Sequence, residues 1–148
     1  LNLPPLLPET QEALAKVTHE AGTSIRNPID TTSLWEDQGF EATLMPCATA
    51  ANIDLLLYHT SFGGGGPSVR LVGMRDRLRR QAETLAHIQQ ESGKPVVVCI
   101  RPSTTADAFE QAADFQELCW RAGLATYPGI ARAGVALGKL LQWQRMHE

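Results

Sequence analysis

Ile53-Asp54-Leu55-Leu56-Leu57-Tyr58, followed by His59-Thr60-Ser61-Phe62-Gly63-Gly64-Gly65-Gly66-Pro67, is the stretch on which the fold turns. The first segment is almost wholly apolar, as a central parallel strand covered by helices on both faces requires. The second is too rich in glycine to continue a strand or begin a helix, so it is a loop at the strand's end. Beyond it, Leu71, Met74, Leu78, Leu85 and Ile88 recur on one face of a long helix from about Val69 to Ser92, with Gly93 as its cap. Lys94-Pro95 then opens a second buried strand, Val96-Val97-Val98-Cys99-Ile100. Strand, helix and strand in this order specify a right-handed crossover and a parallel sheet.

The alternation continues in both directions. Downstream, Pro102-Ser103-Thr104-Thr105 offers several N-caps for a helix carrying Ala108, Phe109, Ala112, Phe115 and Leu118 before Gly123. A short edge strand, Leu124 to Tyr127, precedes a closing helix from about Ile130 to Gln144 with Val135, Leu137, Leu140 and Leu141. Upstream, Glu9 to Ala21 places Leu14, Val17 and Ala21 on one helical face, and Gly22 supplies the stop. Pro28 biases Asn27 towards extended geometry, so Asn27 to Asp30 is expected to be a loop at a strand end. Phe40, Leu44, Met45 and Ala48 have helical spacing between Trp35 and Ala51, where Pro46 must start a new turn or kink the helix.

A chain of 148 residues with 43% hydrophobic content can bury one good core, so a single domain over 1–148 is expected. Thirteen basic against sixteen acidic side chains produce no global field for nucleic acid or an anionic membrane. No apolar run approaches the roughly eighteen residues of a membrane span. Cys47, Cys99 and Cys119 are odd in number and lack metal-ligand spacing, which points to a reduced cytoplasm and to no zinc site. Cys99, inside its apolar run, reads as a small buried hydrophobe.

Several short signatures occur together and in order. Leu3-Pro4-Pro5-Leu6 with Glu9-Thr10, Asn27-Pro28-Ile29-Asp30, Ile53-Asp54-Leu55-Leu56-Leu57, Lys94-Pro95-Val96-Val97-Val98 and Gly123-Leu124-Ala125-Thr126-Tyr127 span most of the chain. Their succession resembles the C-terminal flavodoxin-like domain of the NDP-forming acyl-CoA synthetases, the family of succinyl-CoA synthetase. That resemblance implies a three-layer, flavodoxin-like (Rossmann-like) α/β fold with helices on both faces of a parallel sheet, lacking the family's N-terminal strand. It also implies a larger ligase, in which acyl-CoA thioester chemistry is coupled to nucleotide phosphorylation through a phosphohistidine on another domain. CoA, ADP/ATP or GDP/GTP and magnesium would be handled by CoA-binding and ATP-grasp domains, in cis or as subunits. This segment alone would bind no cofactor and be inactive, and exposed faces could let it form a homodimer. The competing expectation is a noncatalytic binding or assembly domain that keeps the fold.

Two sets of residues are candidate sites. His59 and Gly63, Gly64, Gly65 and Gly66 stand at the carboxyl end of a strand, where open α/β sheets bind ligands and glycine amides can approach an anion. The alternative is a plain surface connection. Asn27, Pro28 and Asp30 are candidates for a loop or interface role, with an Asx-type turn capping Thr31 as the structural alternative. Arg70, Arg75, Arg77, Arg79 and Arg80 would meet a phosphate, an acidic neighbour or solvent. His19, His87 and His147 lack the mutual spacing of metal ligands and are expected to be exposed.

Overall fold

The computed structural model describes residues 1–18, 23–35, 37–63 and 73–147. The fold is α/β and flavodoxin-like without an N-terminal strand: a parallel sheet in the order β1-β2-β3, flanked by helices. Its strands are β1 (Leu56–Thr60), β2 (Val96–Ile100) and β3 (Ala125–Tyr127). The helices are α1 (Pro8–Val17), α2 (Asp37–Thr49), α3 (Met74–Ser92), α4 (Ala106–Arg121) and α5 (Ile130–Arg145), with a 3₁₀ turn at Thr32–Trp35. The chain divides into two compact units, Leu57–Ala82 with Val97–Glu148 and Leu1, and Asn2–Leu56 with Glu83–Val96.

The unit containing Val97–Glu148 holds the sheet apart from Leu56 and Val96, the first residues of β1 and β2. All five β2 side chains are buried, as expected of the middle strand, and Val97, Val98 and Cys99 pair in parallel with Ala125, Thr126 and Tyr127. On the other side, Arg101 N–H donates to Thr60 O at 2.9 Å and closes the β1 ladder. β1 starts later than the apolar run that announces it and lies at an edge of the sheet, so Leu57 is only half-buried. Ile53 instead leaves a turn, its N–H bonded to Ala50 O at 3.1 Å. On α4, Ala108, Phe115 and Cys119 face inward. Phe109 was expected with them but is 67% exposed, because it lies off the line of Ala108, Phe115 and Cys119. α5 departs further: Ala133 is its only buried residue, while Val135, Leu140 and Leu141 are exposed.

The unit containing Asn2–Leu56 has its own core, in which Leu6, Leu14, Cys47, Ala50 and Ile53 cluster with Ile25, Ile29 and Leu56 against them. α1 starts at Pro8, which suits the first helical position because its missing N–H would have no intrahelical partner there. It ends at Val17 with Thr18 as cap, and the expected stop at Gly22 lies outside the described residues. α2 runs through Pro46 and ends at Thr49. Within it, Gly39 permits a close approach, since a Cβ there would sit 2.5 Å from Ser33 O. That approach lets a buried hydroxyl chain form, Thr31 Oγ1 to Ser33 Oγ at 3.0 Å and Ser33 Oγ to Thr43 Oγ1 at 2.9 Å. Each hydroxyl satisfies its neighbour, so the polar atoms can be buried.

α3 contributes Leu78 and Ala82 to one unit and Leu85 and Ile88 to the other, all buried. Gly93, at φ 65°, ends it in the left-handed conformation that glycine adopts without strain. Expectations for its first turn, including Leu71, fall outside the described residues.

Candidate functional site at the carboxyl end of the sheet

Parallel strands bring their carboxyl ends to one edge, where β1 is followed by residues 61–63, β2 by 101–105 and β3 by 128–129. His59 is exposed near the end of β1. The chain then folds onto α4. Phe62 meets Phe115 edge to face, with ring centroids 5.8 Å apart and planes at 64°. Gly63 follows at φ 90°, and a Cβ built on it would lie 2.8 Å from Ala108 Cβ and 3.6 Å from Thr105 Oγ1. Both the backbone angle and the contact demand glycine at this position. Gly63 therefore lies against the first turn of α4, while Gly64, Gly65 and Gly66 lie outside the described residues.

That turn begins at Thr105, an extended N-cap whose side chain makes no capping bond. The leading N–H groups of a helix have no intrahelical partner and carry the positive end of its dipole. Asp107 already places a carboxylate in the first turn. Ser103 Oγ donates to Ala108 O at 3.1 Å and holds the β2 loop over the same turn. Glycine backbone, threonine hydroxyl and helix amides thus meet at this edge, with His59 exposed on β1 and Arg101 exposed just after β2. Such donors suit an anionic or carbonyl oxygen. Thr105 was legible in the sequence only as an N-cap, since its approach to Gly63 brings together residues far apart in the chain.

Beneath this edge the chemistry is closed. Tyr58 is buried, and loss of hydration raises its pKa, partly offset by a hydrogen bond with Thr60 and the charge of Arg77. Cys99 and Cys119 are buried, and burial pushes their thiols up to about 11 and about 12. A thiol so far from ionisation is no nucleophile at neutral pH.

Asn27, Pro28 and Asp30 belong to the other unit and do a different job. Ser24 and Asp30 form an antiparallel bridge, N–H to O at 2.7 and 3.0 Å, around the cis Asn27–Pro28 peptide. Asn27 Nδ2 donates to Pro4 O at 2.9 Å. Asn52 Nδ2 takes Pro5 O at 2.8 Å, and Gln11 Nε2 takes Leu6 O at 2.8 Å. Three amide side chains thus hold three successive carbonyls of the entry segment. In place of the Asx turn given as the alternative at Asp30, Thr31 Oγ1 accepts from Ser33 N–H at 3.3 Å. Asn52 and Gln11 escaped the sequence reading, because a lone amide carries no periodic signal.

Lys94 also ties the second unit together, its Nζ donating to Ala50 O at 2.6 Å. Arg75, Arg79, Arg80 and His87 are exposed on α3, and His147 is exposed in the turn after α5; Arg70 and His19 lie outside the described residues. Among the described residues, no group of three His, Cys, Asp or Glu side chains could hold a metal ion, and no helix is long and apolar enough to cross a membrane. Comparison with family models, curated proteins and solved structures finds no match to this chain.

Proposed function

We propose that this chain is a module of an acid–CoA ligase of the NDP-forming type, contributing the carboxyl edge of its sheet to a phosphoryl-transfer site assembled with other domains. The observation that carries this reading is the bond from Asn27 to Pro4 O, 2.9 Å across 23 residues. It joins two signatures that the resemblance rests on, and Lys94 of a third bonds within the same unit.

In this reading the parent supplies CoA, ADP/ATP or GDP/GTP and magnesium at CoA-binding and ATP-grasp domains, together with the phosphohistidine. Gly63 and the first turn of α4 supply neutral N–H donors to an anionic group, and the segment alone has no turnover. The test is acyl-CoA-dependent phosphorylation of ADP or GDP by the polypeptide that carries this chain, wild type against Gly63→Val, with circular dichroism as the control for folding. Loss of turnover with retained fold is expected. Unchanged phosphohistidine formation and turnover would overturn the reading.

The second reading is a noncatalytic assembly domain. It is favoured by the exposed apolar side chains of α5, which suit docking better than chemistry.

A further inference from the structure

The outer faces of α4 and α5 carry matching patterns of opposite charge. On α4, Glu110, Ala113, Glu117 and Trp120 are all exposed and follow one another at helical spacing. On α5, Arg132, Val135, Lys139 and Trp143 do the same. Each stripe reads charge, small or branched apolar, charge, tryptophan. The two charges on each helix are two turns apart, about 10 Å, so they can be matched pair by pair. Steps of three or four residues keep each set on one face of its helix, as along the seam between two helices.

The charge on each helix is one-sided. α4 bears Asp107, Glu110, Asp114 and Glu117 against Arg121 alone, whereas α5 bears Arg132, Lys139 and Arg145 with no carboxylate. Pairing either helix with itself would oppose like charges, and only the unlike pair attracts. Glu117 already accepts from Arg121 at 2.6 Å, but that pair is solvent-exposed and its carboxylate has room for a second donor. Both tryptophans are held in place. Trp120 Nε1 donates to Thr126 Oγ1 at 2.7 Å, and Trp143 lies against His147 with ring centroids 4.6 Å apart and planes tilted at 31°. Large aromatic side chains that are fixed before association lose little entropy on binding, which is the character of interface anchors.

We propose that this chain associates with a second copy of itself through these stripes, α5 of one copy lying on α4 of the other. The two helices belong to the same compact unit and both pack against β3, so every copy presents both halves of the contact. The proposal is independent of the ligase reading, since it concerns the outer helix faces and no residue of the carboxyl edge.

Sedimentation velocity of the chain across a concentration series decides it, with two charge-reversed variants, Arg132→Glu/Lys139→Glu and Glu110→Lys/Glu117→Lys. The wild type is expected to associate more weakly as salt rises. Each reversed variant, folded by circular dichroism, should associate about a hundredfold more weakly, because like charges then face each other. An equimolar mixture of the two variants should recover association, since each then offers the complement of the other. A wild type that stays monomeric would overturn the proposal and assign the stripes to a different partner. Association that survives both reversals, or a mixture that fails to recover it, would overturn it as well.

Discussion

α1 and α5 are both amphipathic by the same periodicity, yet the structure treats them oppositely. Leu14 on α1 is wholly buried in a cluster with Leu6, Cys47, Ala50 and Ile53. On α5, Val135 is 60% exposed and Leu140 53%, and from Gly138 to His147 every described residue is exposed. A hydrophobic period says that a helix has an apolar face and not what covers it. For α1 the cover is supplied within its own unit, with its entry segment pinned by Asn27, Asn52 and Gln11. For α5 it is not, which is why its face is informative about association.

The sharpest way to break this contrast is to truncate both faces. Leu14→Ala should cost about 3 kcal/mol, since it leaves a cavity in a packed cluster. Leu140→Ala should stay within about 0.5 kcal/mol in the monomer. Urea unfolding of the two variants measures both, and equal losses would mean that α5 is covered after all.

The glycines sharpen it next. Gly39→Ala on α2 places a methyl 2.5 Å from a backbone oxygen. It should cost about 2 kcal/mol through forced displacement of the turn that carries Ser33. Gly138→Ala on α5 meets nothing within 4 Å, and should add up to about 1 kcal/mol through helix propensity. Opposite shifts in thermal midpoint are expected. The same substitution would then report a closed environment in one helix and an open one in the other.

The thiols, all of which lie in covered regions, add an effect that appears only as pH rises. Burial raises Cys47 and Cys99 to about 11 and Cys119 to about 12, against 9.0 for an unperturbed thiol. The unfolded chain therefore loses these protons first as pH rises. Stability from the neutral thiols is complete below pH 9 and should fall between about pH 9 and 11, by about 1.4 kcal/mol per pH unit for each ionising thiol. Urea titrations at pH 8 to 11, compared with a Cys119→Ala variant, measure the slope. A slope unchanged by removing Cys119 would mean that this thiol is not buried as described.

The strand and helix order was legible because each element carries its own period, and β2 was clearest because a fully buried strand must be apolar throughout. The edge position of β1 was not legible, since its run of leucines resembles that of a central strand. At the carboxyl edge, glycine richness marked Gly63 as lying outside the strand. It did not reveal that Phe62 and Gly63 turn back onto Phe115 and Ala108, which depends on a contact between distant residues. The Asn27 loop was legible as a loop because Pro28 restricts its neighbour, but its partner was not.

By itself, then, the sequence determined the alternating α/β order, the helix stops at Gly93 and Gly123, the burial of Cys99 and the absence of a dominant charge. These follow from local backbone preferences and from composition, which need no partner in space. Tertiary structure alone decided that Asn27 secures the entry segment and that Gly63 sits on α4. It also decided that Phe109 and the apolar face of α5 look outward and that acidic and basic stripes share one unit. Each of these depends on which surfaces meet, and a hydrophobic or charged side chain carries no record in the sequence of what it will meet.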